Sequence, residues 1–181
     1  MIDNERRQKL AMHLRHLCTG QIWNQEFEDR LADDVTYGWL PEQYYRAKEC
    51  SVDDGTMRPI LEYSWCLYSD VHFHKMIKKY KLSDEEMKEV ARIILFLHSE
   101  QEYQWDYFKA SIPVITFKDI IKNFLTLGKH SKNLRLKREE EFELFKQTGD
   151  FEFWPFKTRL DFENALKKYP FLNGKQSDPE N

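Results

Sequence analysis

An all-α fold, a single-domain irregular bundle of about seven helices, is what this sequence predicts. Three observations carry the expectation. Apolar residues recur three and four apart through most of the chain, the spacing that gathers them on one helix face. Helix starts and stops bracket those stripes: Asp3, Ser83 and Thr116 open them, while Gly20, Gly128 and Gly149 close them. Strict two-residue alternation, the mark of a half-buried strand, is absent outside residues 151–156.

The first helix is expected after Asp3, whose carboxylate can accept from the free N–H groups of the first turn. Leu10, Leu14 and Leu17 form its buried stripe, and Gly20 offers the left-handed stop. Asn24 is the expected cap of a short second helix that buries Phe27 and Leu31, in a stretch rich in acids. Between Val35 and Gly55 the pattern breaks. An ordered loop is expected there, with one helical turn after Pro41 and with Tyr37, Trp39, Leu40, Tyr44 and Tyr45 as apolar anchors. Helix resumes near Thr56, with Pro59 tolerated in the first turn and a stripe of Ile60, Leu61, Ser64, Leu67, Tyr68 and Val71.

Ser83 and Glu86 make a capping box, and Leu82 and Met87 occupy the positions of a hydrophobic staple. Met87, Val90, Ala91, Ile94, Leu97 and His98 then trace one face, widened by Ile93 and Phe96. A helix apolar over that much of its circumference belongs at the centre of a core. After Pro113, Thr116 caps a segment holding Phe117, Ile120, Ile121, Phe124 and Leu125. A charged helix from about Ser131 to Thr148 follows, using Leu134, Phe142 and Phe145. The run DFEFWPF predicts an aromatic turn at Pro155, and a last helix covers Thr158 to Lys168. The domain is expected to span 1–172, with 173–181 a loose tail.

Composition narrows the function classes. The chain has 181 residues, 41% hydrophobic and 15% aromatic, enough to build a core. Its 28 basic and 31 acidic residues leave a net charge of -3, so no global field draws it to nucleic acid or to an anionic membrane. Cys18, Cys50 and Cys66 share no CxxC spacing, which fits reduced thiols. The opening MIDNERRQKL lacks an apolar signal region, and the longest apolar run, Ile93 to Leu97, is far short of the ~20 residues of a membrane helix. A cytoplasmic protein without a cofactor is expected.

Few constellations suggest chemistry. Asp70, His72 and His74 offer a carboxylate and two imidazoles, ligand types that hydrolytic metal sites use. Residues two apart point roughly 200° apart on a helix, so these converge only if the stretch is extended. Otherwise both imidazoles sit at a helix C-terminus, in favourable contact with its dipole. His98 and Glu102 stand one helical turn apart and could serve acid–base work, the carboxylate orienting the imidazole. His13 and His16 read as solvated surface residues, and Cys66 as a buried, inert thiol. No GxSxG, GxGxxG or GxxxxGK[ST] occurs. The basic run of Lys129, Lys132, Arg135, Lys137 and Arg138 is answered at once by Glu139, Glu140, Glu141 and Glu143, which predicts a self-complementary solvated helix rather than a nucleic-acid face.

Within FLHSEQEYQWDYF, the aromatic residues Tyr103, Trp105, Tyr107 and Phe108 alternate with Glu100, Glu102 and Asp106. Tyrosine and tryptophan combine an apolar body with a polar tip, which suits either an interface or the rim of a core. Four stretches, GQIWNQEF (20–27), SWCLYSD (64–70), ILFLHSEQEYQW (94–105) and GDFEFWPF (149–156), together resemble a family of small helical bacterial proteins of no established activity. That family carries an LYSD helix, an FLxxDxEYEWP-like helix end and a WPF turn. This chain departs from it in having Asp106 where proline is expected. The resemblance implies one helical domain and directs attention to Asp70, Glu102 and Trp105. With Tyr103 and Asp106, these are the expected binding residues.

Two functions of different class follow as expectations. One is a non-enzymatic module that binds another protein, as an antagonist or immunity-type inhibitor would. The other is a hydrolase-like enzyme built on His98 and Glu102, or on a metal held by Asp70, His72 and His74.

Overall fold

A computed structural model describes residues 2–39, 41–44, 53–69, 71–106 and 129–169. The chain is all-α: among the described residues no strand forms. Helix α1, Asn4–Cys18, begins as expected, with the Asp3 carboxylate accepting from the Arg6 N–H at 3.1 Å. It ends in a Schellman motif. Gly20 takes φ +70°, its N–H donates to the Leu17 carbonyl, and the Gln21 N–H reaches back to His16. A side chain at Gly20 would be strained there and would also run into Ile77.

Helix α2, Asn24–Asp34, is not capped by Asn24. Trp23 stands at the cap without a side-chain bond, and Asn24 lies inside the helix, buried, with its amide turned toward residues 69–74. The expected turn after Pro41 is α3, Pro41–Tyr44, and Tyr44 is buried. Tyr37 and Trp39, expected as anchors, are instead exposed. Helix α4, Met57–Trp65, buries Met57, Ile60, Leu61 and Ser64, a stripe at i, i+3, i+4 and i+7. It stops before Cys66, so the predicted stripe fails at Val71, which is 77% exposed, and Cys66 is exposed rather than buried.

Helix α5, Asp84–His98, carries the predicted capping box. It buries Val90 and every residue from Ile93 to Leu97, while Ala91, expected on the core face, is exposed. Helix α6, Lys129–Lys146, carries two i,i+4 pairs in its middle, Arg135 with Glu139 and Lys137 with Glu141. A 3-10 turn at Phe151–Phe153 and a cis Trp154–Pro155 bond lead to α7, Arg159–Lys168, with a Thr158–Asp161 capping box.

Helix α1 is the hub: it packs against α5 and α2, and α5 packs in turn against α7. One hydrophobic cluster runs from Leu10, Leu14 and Leu17 through Phe27, Ile60, Ile93 and Phe96 to Phe156. Two consecutive arginines of α1 also enter the interior. Arg7 is fully buried and donates to both Asp54 oxygens, at 2.6 and 2.8 Å, and to the Gln101 carbonyl at 2.7 Å. Arg6 pairs with Asp53 and donates to the Val35 carbonyl, while Tyr44 also donates to Asp53. These ties sew the start of α1 to the segment before α4 and to the exit of α5. The predicted segment 116–125 and the 173–181 tail lie outside the described residues, as do Cys50, Tyr107 and Phe108.

Candidate functional site

Helix α4 ends at Trp65, so residues 71–77 cannot be a helix C-terminus and the dipole reading of His72 and His74 lapses. Nor do the two imidazoles face a common centre. His72 is exposed, whereas His74 is buried, with its Nδ1 2.8 Å from the His72 carbonyl and its ring stacked on Tyr80 at 4.0 Å. Asp70 lies outside the described residues, and among the described residues no three His, Cys, Asp or Glu gather as a metal site would require.

The His98–Glu102 pair also separates. Helix α5 stops at His98 and Ser99 caps it, so the i+4 spacing no longer carries Glu102 back over the ring. No hydrogen bond or ion pair joins the two among the described residues, and Glu102 is exposed. Burial, with Arg15 beside it, pushes the His98 imidazole below its usual value. Cys66 is no activated nucleophile: although the residue reaches solvent, the partial shielding of its thiol and then Glu62 push it up.

Trp105 and Tyr103 belong to the packing. Trp105 is buried and donates from Nε1 to the Pro155 and Phe156 carbonyls, both at 3.1 Å, while its ring meets Phe145 and Phe151. The Tyr103 hydroxyl accepts from Trp154 Nε1 at 3.1 Å, and burial pushes its pKa up to about 12. Asp106 remains exposed.

His13, expected on the surface, is 2% exposed and bonds through Nε2 to Asp34 at 2.7 Å. Burial pulls its pKa down and Asp34 pulls it up. Burial prevails, because Nδ1 has no partner and a charged ring would bury a bare N–H.

The surface most unlike a satisfied exterior lies elsewhere, at the junction of α2 with residues 71–82. Its keystone is Asn24. The Asn24 Nδ2 donates to the Ser69 and His72 carbonyls at 3.2 and 3.0 Å, and its Oδ1 accepts the His74 N–H at 3.0 Å. In return the His74 carbonyl accepts the Asn24 N–H at 3.0 Å, giving the helix start a partner that no side chain supplies.

Fixed in this way, the segment alternates. His74 and Met76 turn inward, while Phe73, Lys75 and Ile77 turn out, as an extended backbone dictates. The result is a set of large apolar side chains in water: Phe73 at 73% exposure, Trp23 at 48% and Ile77 at 46%, with Val71 beside them in sequence. Lys75 links the two parts of this surface, donating to the Gln21 carbonyl at 2.8 Å with its ammonium 5.8 Å from the Trp23 ring centre. Lys78, Lys79 and Lys81 follow, all exposed.

Periodicity picked out Val71 alone, and wrongly placed it on a helix, since the segment is irregular apart from a 3-10 turn at Lys78–Tyr80. A usable signal was present all the same: residues 71–82, VHFHKMIKKYKL, mix large apolar residues with four lysines and contain no acid. No helix among the described residues is long and apolar enough to cross a membrane. No protein-family model, no curated protein and no solved structure matches this chain.

Proposed function

We propose that this chain is a non-enzymatic binding protein, which docks a partner protein through Trp23 and the 71–82 segment. The observation that carries the reading is the clamp: Asn24 holds in place a segment whose outward side chains are Phe73 and Ile77. A phenylalanine left in water forgoes roughly 1.5–3 kcal/mol of burial. Rigid apolar groups of this kind are the anchors that dominate protein interfaces once covered, and preorganisation lowers the entropy cost of covering them. An antagonist or immunity-type protein needs nothing more than such a surface, since it acts by occluding its partner. The cytoplasm is the proposed compartment, which the free thiols of Cys18 and Cys66 fit.

The test compares three versions of the protein as bait in native extract: the wild type, a Phe73→Ala/Ile77→Ala double variant, and Leu160→Ala. Leu160 is an exposed leucine on α7 and serves as a control for nonspecific apolar capture. A partner retained by wild type and Leu160→Ala but lost from the double variant, with melting temperatures unchanged, is the expected result. Equal retention by all three would remove this surface from consideration.

A further inference from the structure

Lys75, Lys78, Lys79 and Lys81 make no ion pair with any acid among the described residues. The nearest downstream carboxylate in the cleft wall, Glu86, is engaged in its own helix cap, accepting from the Ser83 N–H at 2.7 Å and the Ser83 hydroxyl at 2.8 Å. Lys79 instead lies over the Tyr80 ring, its ammonium 4.6 Å from the centre. Several cations elsewhere are answered locally, Lys9 by Glu5, Arg58 by Glu62 and Lys146 by Glu143, and others such as Lys88 and Lys167 stand singly rather than in a run of four. The 71–82 surface therefore carries uncompensated positive charge on a protein whose net charge is -3.

Beside these lysines a cleft of about 270 Å³ opens between the end of α4 and the 74–82 segment. Leu67, Tyr68, Met76 and Leu82 supply apolar wall, and Lys79 and Lys81 stand at the same opening. The volume falls below the ~300–1,000 Å³ of small-molecule sites and suits one or two inserted side chains.

We infer that this surface takes an acidic amphipathic segment of the partner, an apolar or aromatic side chain entering the cleft while flanking carboxylates meet the lysines. The inference rests on the docking reading above. Charge complementarity selects a narrow acidic segment over an extended anionic membrane. Glu26, Asp29 and Asp33 of α2 follow Trp23 on one side, and Asp84 and Glu85 of α5 follow Leu82 on the other. A broad anionic sheet would meet those acids together with the lysines, whereas a single segment can follow the lysines alone.

Full-length protein is titrated by fluorescence anisotropy with three matched synthetic peptides. The first is acidic with leucine and phenylalanine anchors, the second has lysines in place of the acids, and the third is acidic with serines in place of the anchors. Vesicles of phosphatidylcholine, with and without phosphatidylserine, are tested in parallel by co-sedimentation. Only the first peptide is expected to bind, more weakly as salt rises. Its affinity should fall at least about tenfold in Lys79→Glu/Lys81→Glu.

Binding of the first and second peptides alike would overturn the acidic partner yet leave the docking surface standing. Binding of phosphatidylserine vesicles without the first peptide would overturn it in favour of a membrane. Failure of every probe would also overturn it, and the extract comparison of Phe73→Ala/Ile77→Ala would then decide separately whether the docking reading survives.

Discussion

Arg7 and Asp54 are the residues on which the interior depends most. Both are shielded from water and joined by two hydrogen bonds, and Asp54 also accepts from the Asp3 and Thr56 N–H groups at 3.0 Å. Burial works against the Asp54 carboxylate, but these donors outweigh it and hold its pKa down to about 2. A carboxyl that is more acidic folded than unfolded adds stability above its unfolded value of 3.8, and that stability is lost as pH falls toward 2. The contribution is about 2 kcal/mol. Asp54→Asn should remove this acid limb from a plot of melting temperature against pH. It should also cost about 3–5 kcal/mol at neutral pH, since it strands the Arg7 charge. His13 acts at a different pH. Its imidazole is harder to protonate folded than unfolded, so stability is full above about 6.5 and declines below it. His13→Gln should flatten that upper limb, and the wild-type His13 resonance should titrate below 6.5 by NMR. Neither role was legible from residue type. Consecutive arginines and a histidine on a charged helix are surface residues by default, and only the fold reveals what faces them.

Among the described residues, helices were legible where local capping and periodicity agreed, and least so where a helix took its cap from elsewhere in the chain. The Ser83 capping box and the Gly20 stop are local devices, written in neighbouring residues, and both stand where the sequence predicted them. The start of α2 depends instead on the His74 carbonyl, fifty positions away, so Asn24 read as a cap when it is a clamp. The same remoteness hid the candidate surface, whose residues follow no helical period. Asn24→Ala should therefore act on two measurements at once. It leaves the His74 N–H and two carbonyls without their side-chain partner, for a loss of about 1–3 kcal/mol in chemical denaturation. It should also weaken partner capture although every apolar and basic side chain of the surface remains, because the segment loses its fixed conformation. Unchanged capture in Asn24→Ala would show that the clamp serves stability alone.

Across the molecule, stability should be graded from the α1–α5 contact outward. These two helices share the core cluster, whereas α6 is attached near its end through Phe142 and Phe145 against Trp105 and Phe151. Its Leu136 and Leu144 are exposed, and its i,i+4 ion pairs lie at the surface, where each is worth only about 0.3–0.5 kcal/mol. Native-state hydrogen exchange should be slowest in the middle of α1 and α5, and markedly faster across residues 131–141. Uniform protection would contradict that gradient. The buried arginines bear on how the chain acquires this order during synthesis. Arg6 and Arg7 leave the ribosome early, but their partners at Asp53, Asp54 and Gln101 are made much later. Until Gln101 has emerged, Arg7 lacks its last partner and the leucine stripe of α1 lacks the α5 face that covers it. A nascent chain stalled before residue 99 should remain open to protease in α1, and one stalled well past residue 106 should not. The first helix to be made is thus completed only after α5 has followed it.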